Sequence, residues 1–195
     1  MPVKRKVLIV INPRAGNFNH VKALKYVEDQ LAGANIQHDC FFTELRGKGL
    51  LSEALQSGGY NEILVLGGDG TLNYAVNEMG QDQLPLGIVG TGTGNDSVRS
   101  LHGVAGFRQQ VKIAVNGELR SFDLGCCNGR YFVNGLGLGF DGQVVLEMQR
   151  KSKKGRNRMD YLKTVLRTLY RFKEKEVVFS LDGEEFKKKV LLLTI

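Results

Sequence analysis

The sequence predicts an α/β fold, in which an open, mainly parallel sheet carries helices on both faces and the start of a second, β-rich sandwich domain follows. In the first 120 residues, short apolar runs alternate with segments of helical periodicity, and glycine-rich loops follow three of those runs. After about residue 118 the pattern changes to hairpins. We therefore expect an α/β domain over residues 1–120 and a partial β-rich domain with a helical insertion over 121–195.

The first domain is predicted to alternate strictly between strands and helices. Its strands are the runs KVLIVIN, QHDCFFT, EILVL and LPLGIV. Apolar residues at helical spacing predict the helices, which cover Val21 to Leu31, Leu50 to Leu55 and Thr71 to Met79. Strands joined by helical crossovers run in the same direction, so this order implies a parallel sheet.

The rest of the chain is predicted to contain hairpins and two helices. Turn pairs mark the hairpins at Asn128-Gly129 and Asp182-Gly183, the helices cover 142–150 and 158–172, and GLGLG is read as a closely packed strand. The sequence stops on the apolar strand KKKVLLLTI, which we expect to lack a partner. Unpaired strands seek other chains, so we expect a homo-oligomer formed through the region after Asp123, or disorder in that region.

Composition narrows the class of protein. Three cysteines without CxxC spacing argue against a disulfide framework or a zinc site and favour a cytoplasmic location. The net charge of +7 is concentrated in one segment, since residues 150–175 contain eleven Lys and Arg against Asp160 and Glu174. The rest of the chain is not basic, so we expect no nucleic-acid binding.

Three glycine-rich loops follow the first, third and fourth predicted strands, and their sequences are NPRAGN, GGDGTLN and GTGTGND. Ligands of open α/β sheets bind outside the carboxyl ends of the strands, where these loops should meet. Two of the loops precede helices, whose free N–H groups favour phosphate. Neither of the standard nucleotide-binding patterns, GxxxxGKS/T and GxGxxG, is present.

Asp69 stands between glycines in the second loop, where a carboxylate touching phosphate would repel it. The acid fits if Mg²⁺ lies between the two, or if it polarises a nucleophile or orients a metal-bound water. An exposed acid in a simple type I turn is the alternative, but three glycines around one acid favour phosphate binding. Thr71 is expected to cap the following helix and to donate its hydroxyl to phosphate.

Together these motifs resemble the diacylglycerol kinase and sphingosine kinase-like lipid kinases, which share GGDGT with NAD kinases and phosphofructokinases. INPRAG resembles the opening motif of this family, and GIVGTGTGNDSVRSL resembles its GTGND segment. FDLG with YFVNGLGLGFDGQV resembles the start of its second domain. The resemblance covers nearly the whole chain and implies a phosphofructokinase/NAD-kinase-like fold.

The resemblance implies a lipid kinase that transfers the γ-phosphate of Mg-ATP to a hydroxyl of a diacylglycerol-like lipid, with Asp69 as the catalytic residue. It also implies that Asp69, Asp96 and Asp123 hold Mg²⁺, although Asp123 also suits a turn. The implied nucleotide-binding residues are Asn12, Pro13, Arg14, Gly16, Thr43, Gly67, Gly68, Asp69, Gly70, Thr71, Leu72, Asn73, Gly92, Thr93, Gly94, Asn95 and Asp96. A non-catalytic or truncated nucleotide-binding relative is the first alternative, and a kinase of soluble substrates similar to NAD kinase is the second.

The chain departs from the family pattern at three places. Tyr74 stands where the family has Glu after Thr-Leu-Asn, and Gly90 replaces the proline before GTGND. Family members also continue past Ile195 with an acidic segment that is implied to supply the catalytic base. The chain is therefore expected to be a fragment or a shortened relative, with negligible lipid kinase turnover alone.

A basic segment predicts contact with an anionic membrane. The loop Arg150–Arg158 is rich in Lys and Arg, which anionic lipid headgroups attract. In the helix that follows, Leu162, Val165, Leu166 and Leu169 share one face, and basic residues occupy another. That helix either contacts lipid or packs its apolar face on the second domain, and we favour the packed interpretation. A cytoplasmic protein that binds the membrane surface peripherally is expected.

Overall fold

The computed structural model describes residues 4–16, 18–43, 50–80, 84–150, 158–181 and 183–194. The chain forms two compact units, Met1–Asn134 and Gly135–Ile195. The first unit contains, in chain order, β1 (Lys6–Ile11), α1 (His20–Gly33), β2 (Gln37–Phe42), α2 (Leu50–Gly58), β3 (Glu62–Gly67), α3 (Asp69–Met79), β4 (Leu86–Gly90), α4 (Asp96–His102), α5 (Phe107–Asn116), β5 (Gly125–Cys127) and β6 (Arg130–Phe132). The predicted boundary between domains, near residue 120, stays a prediction.

The first four strands form one parallel sheet in the order β2-β1-β3-β4. The α/β prediction is therefore confirmed. Strand β1 is central, with Ile9 opposite Cys40 of β2 on one side and Leu64 of β3 on the other. Since the chain passes from β2 to β3 across β1, the connections turn in opposite directions on either side of β1.

Helices cover both faces of the sheet, which explains the continuous apolar run of β1. Alternate residues of a strand point to opposite faces. Val7 and Ile9 pack with residues of α1 and α5, whereas Leu8 and Val10 pack with residues of α2 and α3. Each of these four side chains is at most 2% exposed. A strand buried on both faces needs apolar residues at every position.

Side chains form hydrogen bonds with backbone groups along the outer edge of β4. The Gly90 N–H donates to Oε1 of buried Gln110 over 2.8 Å, and the Gln110 amide donates to the Ala105 carbonyl over 2.6 Å. The His102 ring also hydrogen-bonds the backbone of Ile88, the other outward-facing residue near this end of the strand. These contacts occupy backbone groups that would otherwise be free to pair with another strand.

The hairpin predicted at Asn128-Gly129 is present. Strands β5 and β6 pair antiparallel, and Asn128 and Gly129 have φ values of 49° and 74°. Two consecutive positive φ angles match a type I′ turn, for which Asn-Gly is the favoured sequence.

The second unit contains β7 (Gly137–Gly139), α6 (Phe140–Arg150), α7 (Arg158–Arg171), β8 (Lys175–Leu181), β9 (Glu184–Val190) and β10 (Leu192–Thr194). Strands β8 and β9 form the predicted hairpin, with stacked rings of Phe179 and Phe186. Strand β7 contains the last three residues of GLGLG and pairs antiparallel with β10. The prediction that the last strand lacks a partner is therefore wrong for one edge of Leu192–Thr194.

Helix α7 is buried on the face opposite to the expected one. Thr164 and Thr168 are 2% and 3% exposed, whereas Leu162, Leu166 and Leu169 are 48%, 57% and 48% exposed. The interpretation that this helix packs its apolar face on the second domain is therefore wrong. The loop predicted to contact a membrane lies largely outside the described residues, since 151–157 are not among them. Within the described ranges, no helix is both long and apolar enough to cross a bilayer.

Candidate active site

A cleft of about 730 Å³ opens at the carboxyl ends of β1, β3 and β4. It lies at the point where the connections change direction around β1, which is where open α/β sheets bind ligands. Its described lining residues are Asn12, Ala15, Thr43, Gly68, Asp69, Gly70, Thr71, Asn73, Tyr74, Asn77, Glu78, Gly92, Thr93, Gly94 and Arg130. All three predicted glycine loops contribute to this list.

Glycines hold the three loops against one another. A Cβ on Gly16, whose φ is +60°, would lie 2.4 Å from the Thr91 carbonyl oxygen. A Cβ on Gly92 would lie 2.7 Å from the Cα of Gly68. Any larger residue would push the loops apart, because real Cβ atoms do not approach backbone so closely. These glycines therefore shape the cleft, whether or not they also touch a ligand.

Asp69 connects the second loop to the third. Its Oδ1 accepts the Ser97 N–H over 2.9 Å, and its Oδ2 accepts the Asp96 N–H over 3.2 Å. Burial raises the pKa of Asp69, but hydrogen bonds from Ser97 and Asp96 outweigh burial and lower it below the ordinary value. The acid therefore stays ionised at neutral pH, and it binds the amide groups at the start of α4 while it faces the cleft.

Helix α3 begins two residues earlier than the sequence predicted. It starts at Asp69, with Gly68 as its N-cap, so Thr71 lies inside the first turn and does not cap the helix. The Thr71 side chain is buried, and its hydroxyl oxygen accepts the Asn12 amide over 3.2 Å. This contact joins the first loop to the second.

Polar atoms of the cleft remain without partners among the described residues. Thr43 Oγ1 and Asn73 Oδ1 are buried, and neither has a hydrogen-bond partner there. Leaving a buried polar group unsatisfied costs about 1–3 kcal/mol. Gly70 also faces open space, because a Cβ placed on it would meet no described atom within 4 Å. Unsatisfied oxygens beside open space suit a polar ligand.

The predicted nucleotide-binding residues divide into two groups. Asn12, Thr43, Gly68, Asp69, Gly70, Thr71, Asn73, Gly92, Thr93 and Gly94 line the cleft. Pro13, Arg14, Gly16, Gly67, Leu72, Asn95 and Asp96 are not among its lining residues. Leu72 is 2% exposed and belongs to the apolar core beneath the sheet. Asn95 supports its loop, because its amide donates to the Gly92 carbonyl over 2.8 Å.

The three predicted metal ligands do not form a cluster. A Cβ on Gly94 would lie 3.2 Å from Asp69 Oδ2 and 3.6 Å from Asp96 Oδ2, so both carboxylates border this glycine. Asp123 is exposed and does not line the cleft. No group of three possible metal-ligating side chains occurs among the residues that the structure describes. The residues present fit a magnesium ion held by one or two carboxylates, substrate phosphates and water, and they do not fit a three-carboxylate cage.

Part of the lining was not predicted. Tyr74, Asn77 and Glu78 lie on the same face of α3 as the predicted Asn73, and all four line the cleft. Spacings of three and four residues place side chains on one helix face, so this polar row could have been found from the sequence. Ala15 and Arg130 have no comparable local signal, since their positions depend on contacts between distant parts of the chain.

Comparison with known proteins shows the family to which this fold belongs. The chain belongs to the family described as "Diacylglycerol kinase catalytic domain", whose sequence profile matches residues 6–127. The resemblance inferred from the motifs is therefore confirmed.

Named relatives extend this match over the whole chain. The diacylglycerol kinases of Staphylococcus saprophyticus and Staphylococcus carnosus are 28% and 27% identical to it over 197 residues, covering 99% of this chain. The crystal structure of a diacylglycerol kinase from Bacillus anthracis str. Sterne covers 100% of the chain with a TM-score of 0.70 and 24% identity, which shows a shared fold. The chain spans 64% of the length of each of these three proteins.

Proposed function

We propose that this chain contains the nucleotide-binding part of a lipid kinase, which transfers the γ-phosphate of ATP to a hydroxyl of a diacylglycerol-like lipid. The observation that carries the proposal is the cleft at the carboxyl edge of the sheet. Three glycine-rich loops line this cleft together with Thr43 and Asn73, whose buried side-chain oxygens lack partners among the described residues. Family membership supplies the reaction class.

The residues of the cleft have distinct parts in the proposed reaction. The backbone N–H of Gly70, at the start of α3, binds phosphate oxygens, and the absent side chain of Gly70 leaves room for them. The Asn12–Thr71 hydrogen bond keeps the first loop beside them. Asp69 and Asp96 would hold Mg²⁺, directly or through water. When bound there, the ion would supply positive charge beside the phosphates.

A non-catalytic nucleotide-binding protein is the second candidate, and Tyr74 favours it. Tyr74 lines the cleft on α3, where the resemblance implies an acid. A phenol, whose ordinary pKa is about 10, is a poorer ligand for Mg²⁺ and a poorer base at neutral pH than a carboxylate. This candidate predicts ATP binding without phosphoryl transfer.

Partners and location follow from the lipid substrate. We propose that the protein is cytoplasmic and binds anionic membranes peripherally through the loop Arg150–Arg158. Each basic residue near such a surface contributes about 1 kcal/mol. Charge reversal of Lys151, Lys153 and Lys154 should therefore weaken sedimentation with anionic vesicles, as should added salt. A homo-oligomer formed by the region after Asp123 is part of the same proposal.

Transfer of labelled phosphate from ATP tests the function. The full chain is incubated with Mg²⁺ and either diacylglycerol in mixed micelles or NAD. We expect label on the lipid and none on NAD, at a turnover far below the roughly 1 per second of an ordinary enzyme. Asp69→Asn should lower the rate by a further factor of about 10²–10³, since the variant loses a group placed for the transition state. Asp29→Asn, at an exposed position of α1 outside the cleft, is the control.

Each other result selects a different conclusion. Label on NAD alone would identify a kinase of soluble substrates, and ATP binding without any transfer would support the non-catalytic candidate. Full activity of a folded Asp69→Asn protein would remove the central role given to this acid.

A further inference from the structure

Asn77 joins helix α3 to strand β6 through both polar groups of one main-chain residue. Its Oδ1 accepts the Tyr131 N–H over 3.0 Å, and its Nδ2 donates to the Tyr131 carbonyl over 2.9 Å. The same Nδ2 donates to the Asn73 carbonyl within α3 over 2.8 Å. A side-chain amide that pairs both ways with a strand residue acts as a strand neighbour would. It therefore fixes the position of β6 along the helix.

This pairing places Arg130 in the cleft. Successive residues of a strand point to opposite sides. Tyr131 packs against the core formed by α2, α3 and the sheet, and the preceding residue, Arg130, lines the cleft. Asn77 pairs with both polar groups of the Tyr131 main chain, so it directs how β6, and with it Arg130, lies against the helix.

Arg130 has the properties of a phosphate-binding residue. Among the described residues that line the cleft it is the one cation, and its guanidinium has no hydrogen bond or ion pair with any described residue. Arginine remains charged at any physiological pH, and its planar fork binds two oxygens of one phosphate. Arg130 lies outside the range matched by the family profile, which ends at residue 127.

The cleft therefore has two different ends. Asn77 follows Asp69 by eight residues, which corresponds to about 12 Å along the helix axis. Backbone N–H groups and the carboxylate of Asp69 occupy one end, and the guanidinium of Arg130 approaches the other. A ligand with phosphate at both ends, or phosphate extended along the cleft, could contact both.

We propose that Arg130 binds a phosphate group in this cleft and that Asn77 is the residue that positions it. The inference rests on the proposed function, because the phosphate belongs either to the nucleotide or to the phosphorylated lipid. Both sources present the same phosphate oxygens to the guanidinium.

Direct binding to the full chain tests the proposal without any need for turnover. In the first arm, calorimetry compares ATP with adenosine. In the second, sedimentation compares vesicles that contain phosphatidate with vesicles that contain diacylglycerol. Arg130→Ala should weaken ATP or phosphatidate binding by about 10- to 100-fold, the range expected for hydrogen bonds to a charged group, with no change for adenosine or diacylglycerol. Arg130→Lys should retain part of the affinity, and Arg120→Ala is the control at an exposed position outside the cleft.

The role of Asn77 has its own readout. Asn77→Ala should lose as much phosphate affinity as Arg130→Ala, and the double variant should lose no more than either single variant. Millimolar guanidinium should restore part of the binding by Arg130→Ala, which a purely structural role of Arg130 would not allow. Should Asn77→Ala fail to fold, the Arg130 variants still decide the question, since Arg130 is an exposed residue and surface substitutions usually change stability little.

The outcomes separate this inference from the proposed function. If Arg130→Ala bound ATP and phosphatidate vesicles as tightly as wild type does, the inference would be overturned and the proposed function would stand. A wild-type chain that binds neither ATP nor phosphatidate vesicles would overturn both.

Discussion

Asp69 shows how one side chain can serve both the fold and the site. Its carboxylate accepts N–H groups of Asp96 and Ser97, so it orders the third loop, and it also faces the cleft. Because its folded pKa is lowered, the stability it contributes is present above its unfolded pKa of about 3.9 and is lost as the pH falls through its folded pKa. Loss of activity in Asp69→Asn therefore has to be measured together with folding.

A substitution at Gly70 can separate an effect on ligand binding from an effect on folding. A methyl group on Gly70 meets no described atom, and alanine favours a helix by up to about 1 kcal/mol over glycine. Gly70→Ala should therefore keep or raise the melting temperature. It should also weaken ATP binding by roughly 5- to 150-fold, because forcing a methyl group into occupied space costs about 1–3 kcal/mol.

Gly142 offers a matched control for this change. It lies in α6, a Cβ on it also meets no described atom, and it belongs to the second unit. Gly142→Ala should change thermal stability in the same direction and leave ATP binding unaltered. Equal ATP affinity in wild type and Gly70→Ala would show that the nucleotide does not approach Gly70.

At the scale of the element, the edge strand β4 depends on side chains of the helices beside it. Gln110→Met removes the acceptor for the Gly90 N–H and the donor to the Ala105 carbonyl. Leaving a buried polar group unpaired costs about 1–3 kcal/mol, so the free energy of unfolding in urea should fall by that amount. Gln109→Met, at the exposed neighbouring position, should have little effect. If Gln110→Met lost no more unfolding free energy than Gln109→Met, water would have to satisfy the backbone groups at this edge.

His102 makes the same edge sensitive to pH. Burial lowers the pKa of His102, although its hydrogen bond to the Ile88 backbone raises it in part. The folded pKa thus lies below the unfolded value of about 6.5, so the unfolded chain binds the proton more tightly. Stability contributed by neutral His102 is present above pH 6.5 and is lost as the pH falls toward its folded pKa.

Urea titrations at pH 8 and pH 5 measure this effect. His102→Gln should reduce the difference in stability between the two pH values, since glutamine does not titrate. His20→Gln removes a histidine at the start of α1, away from β4, and serves as the control. A pH dependence that is the same in His102→Gln and wild type would contradict the prediction.

The elements themselves were largely predictable, because they depend on local patterns. Alternating apolar runs gave the parallel sheet, and Asn128-Gly129 gave the β5–β6 hairpin. The start of α3 was misplaced because its N-cap is Gly68, which has no side chain to signal it. The contacts of Asp69 with α4 and of Asn77 with β6 join residues 27 and 54 positions apart, and no local pattern reports such pairs.

At the scale of the whole molecule, helix α7 carries the clearest sign of an external partner. Its leucines at positions 162, 166 and 169 are about half exposed, whereas soluble proteins rarely leave a continuous apolar stripe in water. The amphipathic pattern was visible in the sequence, but a pattern shows that a face exists and not which surface it covers. The same segment of the chain carries the excess of positive over negative charge, so an anionic lipid surface matches both properties.

Membrane binding should therefore have an apolar component besides the electrostatic one. Replacing Leu162, Leu166 and Leu169 together with Gln removes about 1 kcal/mol of apolar burial for each half-exposed leucine, so vesicle affinity should fall on the order of 100-fold. This loss should persist at high salt, which screens the contribution of the basic residues. Leu119→Gln, at an exposed position in the first unit, is the control and should bind vesicles as wild type does.

Sedimentation with anionic vesicles and analytical ultracentrifugation of the free chain show whether a membrane or a second copy of the chain covers this face. Unchanged vesicle binding together with dissociation of an oligomer would assign this face to a second copy of the chain instead of a membrane.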